Sequence, residues 1–336
     1  MHSNRINARP NEIATAARNR YIQSDISILR GFLSGRSRHI RPKTPEQVAS
    51  RRAKRPAQTP AENARRIPVP YDLVVSQGRI ADRTPGAIPG AALAAEALGK
   101  RTGLQPITIG SPSPAKEDDW SASLPEAGET LAGLQAAIAA TLQRGDKPLF
   151  IANTCSASLA TLPVVARERA DAVLLWIDAH GDFNTPQTTE SGYLGGMVLA
   201  AACGLWESGH GSGLNPEQVV IVGARDIDPA EMDLLRQAGV RIVPPAEATP
   251  EAILSLIGDA PVWIHVDWDV LEPNHVPAAY AIGDGLHPQT LRAIFAAIPK
   301  DQIAGIELAE FEASKDVRRD EVAIECLLGI VEPLLA

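Results

Sequence analysis

The run Ala172-Val-Leu-Leu-Trp-Ile-Asp-Ala-His-Gly-Asp-Phe-Asn184 begins as an uninterrupted apolar stretch and ends in three ionisable residues, Asp178, His180 and Asp182. A short continuous apolar run of this kind is expected to be a strand buried on both faces. Downstream, Ala260 to Val266 reads as a second such strand, and its end carries Asp267 and Asp269 in the phrase His265-Val-Asp-Trp-Asp-Val270. On a strand, residues two apart share a face, so Asp178 can point with His180, and Asp267 with Asp269. Burying several unpaired carboxylates is costly unless a cation neutralises them. Five such ligands at two strand ends predict a divalent metal site. Carboxylates with one imidazole suit Mn²⁺ better than a thiolate-rich set would.

Tyr71–Val75, Gln105–Gly110, Lys147–Ala152, Gln218–Gly223, Gly239–Val243 and Gln302–Ala309 read as further strands. Helices are expected from about Ala91, over Glu126 to Arg144, after Ser156, and from about Glu321 to the end. In the second of these, Leu131, Leu134, Ala137, Ile138 and Leu142 recur at helical spacing. Alternation of apolar strands with helices predicts an α/β protein with a parallel sheet covered on both faces. In such sheets the polar site lies just beyond the carboxyl ends of the strands. Asp178, Asp226, Asp267 and Glu310 all fall at or near such ends, so four strand termini would build one crevice.

Charge is distributed unevenly. Residues 1–66 hold 15 Lys/Arg against 4 Asp/Glu, or +11; the whole chain carries -8, so the remainder carries -8 minus 11, or -19. Residues 1–69 are read as a basic, Pro- and Arg-rich extension and linker, and 70–336 as the folded domain. The extension lacks aromatic interleaving, and the body is acidic, so no nucleic-acid partner is expected. No apolar run approaches the roughly 18 residues of a membrane span. Cys155, Cys203 and Cys326 are odd in number and far apart. They fit a reducing, cytoplasmic setting rather than a disulfide framework.

Several phrases carry a family resemblance. Asp178-Ala-His-Gly-Asp-Phe-Asn-Thr-Pro186, continuing to Thr188-Thr-Glu-Ser-Gly192, resembles the second metal motif of the arginase (ureohydrolase) family. His265-Val-Asp-Trp-Asp-Val-Leu-Glu-Pro273 is similar to its third. Gly223-Ala-Arg-Asp-Ile-Asp-Pro229 resembles the segment that recognises a substrate α-amino group, and Gly305-Ile-Glu-Leu-Ala-Glu310 the segment whose final Glu holds a guanidinium. The resemblance runs from about residue 71 to the end. It implies a three-layer α/β/α sandwich on a mainly parallel eight-stranded sheet, a dinuclear Mn²⁺ centre that generates hydroxide, a small-molecule guanidino amino acid as substrate, and self-association. By the same resemblance Asp178, His180, Asp182, Asp267 and Asp269 would hold metal. Asp182 and Glu310 would serve catalysis, Asp226, Asp228 and Glu310 would meet the cationic groups of the substrate, and Asn184, Thr189 and Ser191 its α-carboxylate.

The chain departs from the family at two places. Where the first metal motif has Gly-Gly-Asp-His-Ser, this chain has Ala152-Asn-Thr-Cys-Ser156, so Cys155 stands where a ligand His belongs. Either Cys155 ligates as a thiolate, favouring a softer divalent ion, or it is a small buried residue beside a single-metal site. Gly195 stands where arginases carry a proton-shuttling His, with Tyr193 two residues before it. His210, His275 and His287 read as solvated loop residues, and His265 is expected opposite the ligands or above them. The two losses resemble an arginase-like subgroup that hydrolyses N-hydroxy-arginine to ornithine and hydroxyurea. An N-hydroxyguanidine is less basic than a guanidine, so less metal activation and less acid assistance suffice. The alternatives are another ureohydrolase (arginase, agmatinase-like or formimidoylglutamate-like) and a non-catalytic arginase-like binding protein.

Overall fold

The computed structural model describes residues 70–335; the basic extension 1–69 lies outside the described residues. In chain order the elements are β1 (Tyr71–Ser76), α1 (Ala87–Thr102), β2 (Ile107–Ile109), α2 (Trp120–Gln143), β3 (Lys147–Ile151), α3 (Ser158–Glu168), β4 (Val173–Ile177) and α4 (Val198–Ala202). Then follow β5 (Val219–Val222), α5 (Pro229–Ala238), β6 (Arg241–Val243), α6 (Pro250–Ile257), β7 (Val262–Asp267), α7 (Pro288–Ala297), β8 (Ile303–Ala309) and α8 (Val317–Leu335). All strands join one parallel sheet in the order β2-β1-β3-β8-β7-β4-β5-β6.

Period-two alternation sorts the strand residues into two cores. Val173, Leu175, Ile177, Ile264, Val266, Ile306 and Leu308 face one layer, covered by α1, α6, α7 and α8. Leu174, Trp176, Phe150, Ile221 and Trp263 face the other, covered by α2, α3, α4 and α5. The central strands β4, β7 and β8 are buried throughout, which is why they read as continuous apolar runs. The expected α/β/α sandwich with eight parallel strands is the fold observed.

Element ends differ from expectation where caps rather than core positions set them. The helix expected from Glu126 begins at Trp120, because the Asp119 side chain accepts hydrogen bonds from the N–H groups of Ser121 and Ala122. The helix expected from Glu321 begins at Val317. The strand expected over 105–110 narrows to an edge strand of three residues, Ile107–Ile109.

Connectivity locates the crevice. β3 and β4 are consecutive in the chain, yet β8 and β7 lie between them in the sheet. At such a switch point the loops leave in opposite directions and open a cleft beyond the strand ends. The ends of β3, β8, β7, β4 and β5 lead into Cys155, Glu310, Asp267, Asp178 and Asp226 respectively.

Close approach at the sheet centre fixes one glycine. Gly305 on β8 pairs with Trp263 on β7, and a Cβ there would lie 2.3 Å from the indole Cζ3. Gly305→Ala must push aside a ring that is 0% exposed. It is expected to destabilise the protein by about 1–3 kcal/mol, the range for overpacked cores. Urea denaturation with an unchanged m-value checks this.

Candidate metal centre

The crevice at the strand ends has a volume of about 450 Å³, and its lining includes Cys155, His180, Asp182, Asp267, Asp269 and Glu310. Asp178 is fully buried behind this lining, next to His180. Its Oδ2 accepts from Trp176 Nε1 (3.0 Å) and its Oδ1 from the His180 N–H (2.7 Å), a bond that turns the chain as β4 ends. Nδ1 of His180 lies 3.0 Å from Asp269 Oδ2 and 3.4 Å from Asp178 Oδ1. Asp269 Oδ1 accepts from the Ala179 N–H (3.1 Å), and Asp267 Oδ1 accepts from the Asp269 N–H (2.8 Å). The two phrases from β4 and β7 are thus tied together through their ligand-type side chains.

Two of the crevice acids sit on backbone of positive φ, Asp182 at 47° and Glu310 at 65°. Such conformations cost roughly 1–3 kcal/mol each and mark places where the fold holds a side chain against local preference. Here both turn a carboxylate into the crevice. The Glu310 Oε1 accepts from the Cys155 N–H (2.8 Å) and from Tyr193 Oη (3.2 Å). Asp182 Oδ2 is buried and has no hydrogen-bond partner among the described residues.

Burial, followed by repulsion from neighbouring carboxylates, raises the pKa values of Asp267 and Asp182 far above the usual range and that of Asp269 to about 6. Burial likewise lifts Glu310, and it lifts the Cys155 thiol, with Asp267 adding most to the latter. Burial works against a charged His180 ring, but hydrogen bonds to Asp178 and Asp269 push it up to about 12. For Asp178 the His180 interactions outweigh burial and lower its pKa.

A divalent cation fits these residues. Carboxylate oxygens converge with too few donors, Asp182 Oδ2 has none, and the donor atoms of Asp178, His180 and Asp269 lie within 4.8 Å of one another. So do those of Cys155, Asp267 and Glu310. A cation would reverse the local electrostatics that now raise the carboxyl and thiol pKa values.

Of the remaining expected residues, Asn184, Ser191, Asp226 and Asp228 line the crevice. Thr189 does not; its hydroxyl accepts from the Gly192 N–H (3.0 Å) and shapes the loop that bears Ser191. Arg225 does not pair with Asp226. Its guanidinium donates instead to the carbonyls of Gly223, Val270, Asp269, Ile282 and Gly283, clamping the loop after β7. Asp226 is left facing His180 Nε2 at 3.9 Å.

Three features were missed or misread in the sequence. His265 lies neither opposite nor above the ligands: it shares the face of Asp267, two residues on, and its Nε2 is 3.3 Å from Cys155 Sγ. Glu231 enters the crevice from the first turn of α5, which Pro229 starts at N1. Its Oε1 accepts from the Phe183 N–H (2.7 Å), and burial lifts its pKa to about 7. Tyr193 fills the space beside Gly195, where a Cβ would lie 2.4 Å from the Tyr193 ring. Arg83 covers that ring, its guanidinium 5.0 Å from the centroid.

The carboxyl groups raised by burial bind protons more tightly folded than unfolded. Their contribution to stability is therefore greatest at low pH and is lost as pH rises through the folded values of about 6 for Asp269 and about 7 for Glu231. Chelator-treated protein is expected to melt at a lower temperature at pH 8 than at pH 5.5, and added divalent cation to restore the pH 8 value. Thermal melts at the two pH values, with and without the cation, check this.

Known proteins similar to this chain point to the arginase family. A family model described as Arginase family matches residues 63–329. The N(omega)-hydroxy-L-arginine amidinohydrolase of Streptomyces lavendulae is 56% identical over 262 residues, covering 78% of this chain and 96% of that protein. The arginase of Bacillus caldovelox is 32% identical over 167 residues, 45% of this chain and 55% of that one. Among solved structures, arginase from Bacillus cereus has a TM-score of 0.68 at 22% identity, covering 79% of this chain and 98% of that one. Proclavaminate amidino hydrolase from Streptomyces clavuligerus has a TM-score of 0.61 at 21% identity, covering 80% and 93%. At these identities the structures bear on the fold alone.

Proposed function

The chain belongs to the arginase family, and from that premise we propose that it hydrolyses N-hydroxy-arginine to ornithine and hydroxyurea, a hydrolase acting on an amidine C–N bond. The observation that carries this reading is the 56% identity to the S. lavendulae enzyme across 96% of that protein's length. Water adds to the guanidino carbon, the bond from that carbon to the side-chain nitrogen of ornithine breaks, and that nitrogen takes the electron pair and a proton. The carbon departs as hydroxyurea, so the atoms balance.

Asp178, His180, Asp182, Asp267 and Asp269 would hold the metal, with Cys155 where the family has its remaining ligand. We favour Mn²⁺ on the family resemblance, as one or two ions. The sulfur of Cys155 supports other divalent ions as well. What a bound divalent ion supplies is Lewis acidity, which brings the pKa of water towards neutrality.

The protein's own groups do the rest. Glu310 accepts N–H bonds from the hydroxyguanidine and sets its plane, a positioning role supported by the two donors that fix Oε1. Asp182 takes a proton from the attacking water at Oδ2, a role supported by that oxygen's burial without a partner. Asp226 and Asp228 meet the substrate ammonium, and Glu231 beside them adds a third acid. Asn184 and Ser191 meet the α-carboxylate, with Thr189 acting through the loop. Agmatine has no such carboxylate, so these two residues favour an amino-acid substrate. With Gly195 contributing no imidazole, the chemistry suits a substrate whose guanidino carbon is already more electrophilic. The reading also takes in a reducing cytoplasmic setting, supported by three unpaired cysteines, and self-association, which rests on the family alone. Among the described residues, no helix is long and apolar enough to cross a membrane.

Steady-state kinetics on the metal-loaded protein are expected to give a kcat/KM for N-hydroxy-arginine at least about 100-fold above that for arginine, a difference of ~2.7 kcal/mol in transition-state stabilisation. Comparable values for the two substrates would defeat the reading. Asp267→Ala is expected to lower kcat/KM by about 10³-fold or more and to reduce metal content by plasma mass spectrometry. Unaffected turnover would refute the assigned site.

A further inference from the structure

Behind Cys155 lies a buried row of side chains that the reaction above does not use. Strand register pairs Trp176 on β4 with His265 on β7, and His265 with Glu307 on β8. His265 and Glu307 are both 0% exposed. The imidazole stacks on the Trp176 indole, with ring centroids 3.5 Å apart and planes 3° from parallel. Glu307 accepts from Ser158 Oγ (2.7 Å), Thr161 Oγ1 (2.9 Å) and Trp263 Nε1 (3.3 Å), so its position is fixed from α3 and β7.

These bonds assign the ring tautomer. Ser158 Oγ also lies 3.5 Å from His265 Nδ1. The single Ser158 hydroxyl proton goes to Glu307, so towards the ring the oxygen can only accept. The ring proton is therefore on Nδ1, and Nε2 presents a lone pair. That lone pair faces Cys155 Sγ at 3.3 Å, and Sγ also lies 3.1 Å from Asp267 Oδ2. Sγ has one proton to place between Nε2 and Oδ2, so the thiol cannot donate to both of its neighbours at once. A ring nitrogen of His265, Cys155 Sγ and an Asp178 carboxylate oxygen lie within 4.8 Å of one another, and Nε2 is the nitrogen that faces Sγ; the spacing suits donors each about 2.0–2.3 Å from a single ion.

We infer that His265 is a metal ligand through Nε2, supplying from β7 the imidazole that the first motif lacks, with Cys155 and Asp178 beside it and Ser158 and Glu307 orienting the ring. The inference rests on reading the cluster as a metal centre. It explains why a strand interior carries a histidine backed by a carboxylate: ligating imidazoles are held this way by an outer hydrogen bond. It also gives the centre a nitrogen and a sulfur donor, a softer set than carboxylates with one imidazole.

Co²⁺ alone is the probe, followed by its absorption bands and by paramagnetically shifted N–H signals of ¹⁵N-histidine-labelled protein. In the wild-type protein, shifted imidazole N–H signals are expected from both His180 and His265. His265→Asn keeps an amide nitrogen near the Nδ1 position, and with it the contact to Ser158, while removing Nε2. Co²⁺ affinity is expected to fall at least about tenfold in this variant, with loss of one shifted signal, and about tenfold in Glu307→Gln. Circular dichroism melts establish that the variants fold, and the wild-type spectrum decides the matter even where they do not. A wild-type spectrum with a shifted signal from His180 only, or a folded His265→Asn variant with unchanged Co²⁺ affinity, overturns the inference while leaving the metal centre standing. Wild-type protein that binds no Co²⁺ overturns both.

Discussion

Repulsion among buried carboxylates is the constraint around which this molecule is arranged. Asp178, Asp182, Asp267, Asp269 and Glu310 are each at most 6% exposed; the last four line one crevice and Asp178 lies buried behind it. Two unit charges 4 Å apart repel by about 4 kcal/mol even at an effective dielectric constant near 20. A fold tolerates such a cluster only with a cation, or with protons held at raised pKa values, and burial raises four of the five, Asp178 being the one held down by His180. The sheet carries this load because β4, β7 and β8 are buried along their length and bring their acids out only at their carboxyl ends, His265 and Glu307 being the two ionisable residues held deeper. Two of the five acids also sit on backbone of positive φ, so local strain adds to the electrostatic cost at the same point.

Most of this was legible in the sequence because burial on both faces writes a strand as a continuous apolar run, and a polar residue ending that run is conspicuous. The four acid-bearing strand ends follow from that alone, and their convergence follows from parallel connectivity. What was not legible depended on shorter signals. Helix starts at Trp120 and Val317 precede the first core positions, since caps and exposed first turns carry no hydrophobic period. Glu231 had a signal that went unused: Pro229 marks a helix start, and an acid in the first turn two residues on projects from the same end as Asp228. His265 had one too. The period of two that puts Asp267 in the crevice puts His265 on the same face, one step deeper, where a charged-type side chain in a strand interior asks for a reason.

Gly195 is explained by packing rather than by absence. The space next to it is taken by the Tyr193 ring, which no side chain on residue 195 could share. The phenol of Tyr193 reaches Glu310, so the position contributes a hydroxyl donor to the acid that would orient the substrate. Arg83 over the same ring brings a cation to the crevice wall beside Ser191, to whose carbonyl it donates at 3.1 Å.

The two departures from the family thus share one form. A small residue, Cys155 or Gly195, stands next to a large ring, His265 or Tyr193, that touches or fills the space beside it. Interiors are packed to near-crystalline density, and a large-to-small change left alone leaves a cavity whose penalty grows with its volume. A site decaying into a scaffold accumulates such losses one at a time, without partners and without donors aimed at the remaining acids. Here each small residue is matched by a ring whose polar atom points at the reacting region, Nε2 of His265 at Cys155 and Oη of Tyr193 at Glu310. Small residues packed against rings whose polar atoms face the crevice favour a working centre over an emptied scaffold.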